Sequence, residues 1–367
     1  MDRRRFLVTG AALGAAAALP RFAAADTAFA PTPGAWRSFE ITTRIEIAHP
    51  KGVSQAWLPL PSVSAADWIR PLDNQWRGNA AETTAYHDPR YGAALLHAVW
   101  PEGQDAPVVE VTSQFATRDR AVDLTRRSAA PVALPAAERA LYIQPTALIP
   151  TDGVVKDTAS YITAGIHTDV GKARAIYDWI VDNTFRDPKT RGCGTGDIGF
   201  MLETGDLGGK CADLNALYVG LARAAGLPAR DLYGLRVAPS RFGYKSLGTS
   251  SAVVTKAQHC RAEVYLSRFG WVPVDPADVR KVVLEEPPGN LRLDDAKVAA
   301  ARATLFGAWE TNWVAFNTAH DWSLPGAREP ALDFLMYPQV ETGGERLDSL
   351  DPDSVKYTIT AKELTAV

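Results

Sequence analysis

Three residues in this chain have the types, order and settings needed for nucleophilic chemistry. Cys211 lies in Gly208-Gly209-Lys210-Cys211-Ala212-Asp213, at the start of an apolar-periodic stretch. His259 opens His259-Cys260-Arg261-Ala262-Glu263-Val264-Tyr265, and Asp275 closes Gly270-Trp271-Val272-Pro273-Val274-Asp275 ahead of Pro276. A thiol, an imidazole and a carboxylate are the parts of a cysteine nucleophile system. A free thiol has a pKa of about 8.5 and holds little thiolate at neutral pH. A helix N-terminus and a neighbouring imidazolium lower that value, and the same backbone N–H groups can bind a developing oxyanion.

The elements around these residues are predicted to position them. Leu214, Leu217, Tyr218, Leu221 and Ala225 recur with a helical period, and Gly226 and Pro228 end the helix. Strands are expected over 231–237, 259–266 and 271–275. A hairpin centred near Ser267 sets His259 directly opposite Asp275, close enough for the carboxylate to orient the imidazole. On the strand that His259 opens, residues 259, 261, 263 and 265 share a polar face. Lys172–Asn183 reads as a second helix, capped by Thr168 or Asp169, and Leu305–Asn317 as a third, on the spacing of Trp309, Trp313 and Phe316. The Gly-rich stretch 186–210 reads as irregular. Upstream, Phe39, Ile41, Thr43, Ile45 and Ile47 alternate with polar residues as in a half-buried strand, and similar runs at 55–60 and 109–115 suggest a β-sandwich.

Taken together, Gly209-x-Cys211-x-Asp213, His259-x-x-x-Glu263-Val264-Tyr265 and Gly270-Trp271-Val272-Pro273-Val274-Asp275-Pro276 resemble the three motifs of bacterial transglutaminase-like proteins of the papain-like cysteine superfamily. The helix around Lys172–Ile180 resembles that family's entry segment. The resemblance implies an α+β fold, a cysteine-bearing helix packed on an antiparallel sheet, preceded here by the β-sandwich-like domain. It implies Cys211 as nucleophile, His259 as base and Asp275 as orienting acid. The family commonly has a tryptophan two residues after the histidine, where this chain has Arg261, and a small alanine where it has Cys260. Gly209, Lys210, Arg261 and Trp271 are the expected substrate contacts, with Lys210 and Arg261 making the cleft basic. The implied chemistry is acyl transfer through a thioester, from an amide or peptide carbonyl to an amine or water. A cysteine protease or amidase shares the triad, and a non-catalytic peptide-binding module, with Trp309, Trp313, Trp322 and Tyr337 lining its cleft, is the reading from another class.

The rest of the chain bounds this reading. Of 367 residues, 39 are basic and 42 acidic, a balance that gives no footprint for nucleic acid. Arg3-Arg4-Arg5-Phe6-Leu7, an apolar run to Leu19 and Ala23-Ala24-Ala25 have the layout of a twin-arginine export signal, so the mature protein is expected in the periplasm or secreted, without stable membrane insertion. The expected organisation is a signal over 1–25, a linker over 26–36, the sandwich-like domain over 37–135, the catalytic core over 136–285 and a C-terminal extension over 286–367 packing on the core. Cys193 and Cys260 can pair and leave Cys211 reduced, or all three can be free. No calcium loop or other metal motif appears, the chemistry needs no cofactor, and the expected partner is a protein or peptide substrate.

Overall fold

The computed structural model describes residues 28–364, and the expected export signal lies outside them. The alternating run near residue 40 forms the strand Arg37–Glu46. It pairs antiparallel with Val108–Thr117 on one side and Lys356–Leu364 on the other, and Ile69–Gly78 completes a four-stranded sheet. A five-stranded sheet runs Glu345–Arg346, Gln339–Thr342, Ser54–Leu60, Ala94–Trp100, Glu82–His87. Ile45, Leu58, Leu96, Trp100, Val111 and Val340 fill the space between the sheets. The segment 286–367 therefore does more than pack on the core, because it supplies strands to both sheets of the sandwich. The described part of the expected linker, from residue 28 on, also packs on the fold. Phe29 is buried against Phe242 and Tyr244, with ring centroids 5.6 and 4.6 Å away.

The second layer system carries the residues of interest. Its sheet runs Gly270–Val274, Gln258–Leu266, Ala229–Arg236, Trp313–Asn317, all antiparallel. The helix Cys211–Ala224 packs on it with every residue buried. It is flanked by Asp169–Asn183, whose Thr168 cap accepts from Gly171 N, and by the helix Gly153–Ile162. Sequence periodicity alone left Gly153–Ile162 unrecognised. The stretch read as irregular contains a short helix, Ile198–Thr204, capped by Asp197.

Leu305–Asn317 is not a helix. Helix Ala296–Thr304 ends just before it, Gly307 sits at φ +119°, and the chain continues as the strands Ala308–Trp309 and Trp313–Asn317. Trp309, Trp313 and Phe316 mimic a helical stripe only because Trp313–Asn317 is buried throughout and so shows no alternation. No helix among the described residues is long and apolar enough to cross a membrane.

Candidate active site

Cys211 is the first residue of its helix, and Asp213 fixes the local backbone. One Asp213 carboxylate oxygen accepts from Lys210 N at 2.9 Å, and the other from Thr195 N and Gly196 N at 2.9 Å each. Ala212 N donates to Cys193 O at 2.9 Å. The helix start and the 193–196 loop are thereby tied through one buried carboxylate. Two glycines make room for it. A Cβ on Gly194, which sits at φ +95°, would lie 1.8 Å from Asp213 Oδ2, and one on Gly209 would lie 2.6 Å from Asp213 Cβ. Gly194→Ala is expected to cost about 2 kcal/mol in urea unfolding, the price of displacing a bonded buried carboxylate. It should also slow alkylation of Cys211; wild-type values for both would refute this role of Asp213.

His259 lies on the strand Gln258–Leu266 and Asp275 just beyond the strand Gly270–Val274. The hairpin register differs from the expected one. Leu266 pairs with Gly270 and Ala262 with Val274, so the turn is centred one residue later, at Arg268. Gly270, at φ +74°, closes a three-residue loop, a position that favours glycine. Asp275 is therefore not paired opposite His259. It caps the helix Pro276–Glu285, where its Oδ1 accepts from Asp278 N at 3.0 Å. The expected contact is nonetheless made, because the cap turns the carboxylate back. Asp275 Oδ2 lies 2.8 Å from His259 Nε2. Asn215 Nδ2 steadies the same carboxylate at 3.3 Å.

A second carboxylate completes the cluster. Asp278 Oδ1 stands 3.3 Å from His259 Nε2, and Arg236 Nη2 holds both Asp278 oxygens at 2.6 and 2.7 Å. His259, Asp275 and Asp278 present ligand atoms within 4.8 Å of one another, a spacing suited to a cation. Here the positive charge comes from Arg236 and from Arg261, whose Nε lies 3.5 Å from Asp275. The donor set is already matched by guanidinium groups and does not call for a metal.

With Nε2 engaged by the carboxylates, Nδ1 is the His259 nitrogen left to exchange a proton with the Cys211 thiol, whose ionisation the ring favours. Burial and Arg236 oppose the imidazolium, but Asp278 and Asp275 outweigh them and hold His259 up at about 9. The Cys211 thiol is pulled well below its usual range. Hydrogen bonds from Cys193 and Cys260 act first, burial opposes them, and His259 adds to them. Cys193 and Cys260 are pushed up and stay protonated. All three cysteines are free and buried. The arrangement favours a thiolate–imidazolium pair at neutral pH.

A cavity of about 650 Å³ opens onto Cys211, His259 and Cys193. Lys210 lines it, as expected, and so does Tyr337. The other expected contacts do not. Gly209 is small for the sake of Asp213. Arg261 is 2% exposed, donates to Glu310 O at 2.8 Å and lies between the rings of Trp309 and Trp313 at 5.1 and 4.8 Å. These tryptophans stack on a buried guanidinium and line no cleft. Trp322 packs in a separate apolar cluster with Trp57 and Leu335. Trp271 donates to Glu138 and stacks under Arg230 at 4.2 Å, outside the cavity. The polar strand face is buried because each group has a partner: Glu263, for instance, is bound by Arg120 and Arg230. Asp278 and Arg236 were not singled out from the sequence. The cap pattern Asp275-Pro276-Ala277-Asp278 was the available signal.

Comparison with known proteins agrees with this architecture. The family model of the transglutaminase-like superfamily matches residues 156–276. An uncharacterized protein of Haemophilus influenzae is 35% identical over 343 residues, spanning 89% of this chain and 91% of that one. The crystal structure of a candidate cysteine protease from Cytophaga hutchinsonii superposes with a TM-score of 0.58 at 14% identity, covering 92% of this chain and 93% of that one, and shares the fold. The periplasmic domain of TgpA from Pseudomonas aeruginosa, at 16% identity over 70% of this chain and 94% of that one, has a TM-score of only 0.33.

Proposed function

Since the chain belongs to the transglutaminase-like superfamily, we propose that it is a cysteine enzyme acting on amide or peptide bonds through a thioester. One observation carries this reading: a helix-start thiol and an imidazole whose Nε2 a buried carboxylate holds at 2.8 Å open onto the same cavity. The Cys211 thiolate attacks the carbonyl carbon, forming a C–S bond. The oxyanion is met by the Cys211 N–H, since those of Lys210 and Ala212 are already bound, and by the Tyr337 hydroxyl, which burial keeps protonated. His259 gives its proton to the leaving amine as the C–N bond breaks. It then takes a proton from the incoming water or amine, whose attack on the thioester frees the thiolate.

The test is a panel of peptides with side-chain and main-chain amides, incubated with and without a primary amine. Ammonia or peptide release that requires Cys211 supports the reading, and incorporation of the amine identifies a transferase. A panel left intact by wild-type protein would count against it.

The pH profile has a defined expectation. Turnover should rise below neutrality, as the depressed Cys211 thiol ionises, and fall near pH 9, as His259 loses the proton it must donate. Asp278→Asn removes the carboxylate that raises His259 and leaves Arg236 to repel the imidazolium, so the alkaline limb should move to lower pH. A limb that stays in place would show that Asp278 does not set it.

A further inference from the structure

Apart from the Cys211–His259 pair, the walls of the cavity carry charge of one sign. Arg186, Arg191, Lys210, Lys256, Lys281 and Lys356 line it, with Arg236 beside His259, and no aspartate or glutamate does among the described residues. The chain as a whole has 42 acidic residues against 39 basic ones, so the sorting is local. The carboxylates that meet these cations stand outside the cavity. Asp278 binds Arg236, Asp348 binds Arg191, Glu46 binds Lys356, and Glu285 serves both Arg186 and Lys281. Lys210 and Lys256 form no ion pair among the described residues. Setting the Cys211–His259 pair aside, seven cations against four carboxylates leaves a surplus of three positive charges along the cavity. Burial and Arg236 push the Lys281 ammonium down, as for a charge short of anionic partners.

We infer that the acyl donor is an acidic peptide, presenting its scissile amide between aspartate or glutamate side chains that reach Lys210 and Lys256. This rests on the acyl-transfer reading above. The two cations without partners are lysines, compact point charges suited to separate carboxylates. The arginines, whose planar forks suit phosphate, are already committed to protein carboxylates. Val253, Val254 and Leu350 supply apolar wall between the charges, a surface for a peptide backbone rather than for a free anion.

The test uses three synthetic peptides with one amide core and flanks of glutamate, serine or lysine. Binding to the Cys211→Ala protein is measured by fluorescence anisotropy, and turnover with wild-type protein. The glutamate peptide should bind at least about tenfold more tightly than the serine one at low salt, and the gap should close near 0.5 M NaCl as screening shortens. Lys256→Glu should shrink the same gap at low salt. A phosphoserine-flanked peptide that outcompetes the glutamate peptide would overturn the choice of carboxylate. Equal binding of acidic and neutral peptides would overturn the inference outright, whatever the turnover. Acidic-selective binding with no turnover of any peptide would instead count against the acyl-transfer reading and leave the binding preference standing.

Discussion

Cys211→Ala is expected to lower turnover of any accepted amide by about 10⁴-fold or more, the scale at which loss of a nucleophile leaves only binding and oxyanion effects. The side chain is small and its helix is held by Asp213 rather than by sulfur, so unfolding stability should change by only about 1 kcal/mol. Three buried thiols meet near this point, which makes the control demanding. Cys193→Ala and Cys260→Ala should both retain turnover. Each removes a hydrogen bond to the thiolate, so the acid limb of the pH profile should move up, toward the ordinary thiol range. Alkylation by iodoacetamide should give one adduct, at Cys211, already fast near neutral pH. Equal labelling of the three cysteines at the rate of a free thiol, or a Cys211→Ala protein with normal turnover, would sink the assignment.

The second large effect concerns stability. Arg236 and Asp278 are 2% and 1% exposed and joined by two short hydrogen bonds, with Arg236 Nη1 also donating to Leu247 O at 2.7 Å. Arg236→Met leaves Asp278 buried without its main counter-charge, and urea unfolding should show a loss of about 3–5 kcal/mol. The paired change Arg236→Met with Asp278→Asn removes both charges together and should recover much of that loss, because the larger part is the penalty of a lone buried ion. The recovered protein should keep the fold, and because it loses Arg236, which opposes the imidazolium, together with Asp278, which favours it, Asp275 should hold its alkaline limb high, unlike that of Asp278→Asn alone. A double variant as unstable as the single one would mean that the pair holds the structure by contacts other than charge.

The site was legible where local pattern decides geometry. The helix start at Cys211 follows from apolar period and Gly-Gly-Lys, and the strands of His259 and Asp275 follow from their flanking residues. The His259–Asp275 contact was anticipated for a reason the structure replaces: a cap on the helix Pro276–Glu285, not a directly opposite pair. A shift of two residues keeps each side chain on its own face, so the strand parity held while the partner changed. Arg261 shows the limit in another way. A charged residue two places from the histidine suggests a basic cleft, but the tryptophans that bury it lie about 50 residues downstream and read as a helix. The same limit hid the pairing of the last strand, although the run from Tyr357 to Thr360 itself reads as extended. Nothing local to Tyr357 says that its run pairs with Arg37–Glu46.

That long-range pairing has a consequence for how the molecule comes into being. Arg37 is bonded to Glu363 across 326 positions, and Val254, in the cavity wall, hangs by its N–H from Ile359 in the same late strand. Lys356 and Tyr357 belong to that wall as well. During synthesis the helix of Cys211 can form early, yet its surroundings stay unfinished until the last described strand has docked. So distant a pairing can close only after its far strand has been synthesised. A ribosome-bound or shortened chain would thus expose a thiol without a finished cavity, and competence would arrive with the final strand.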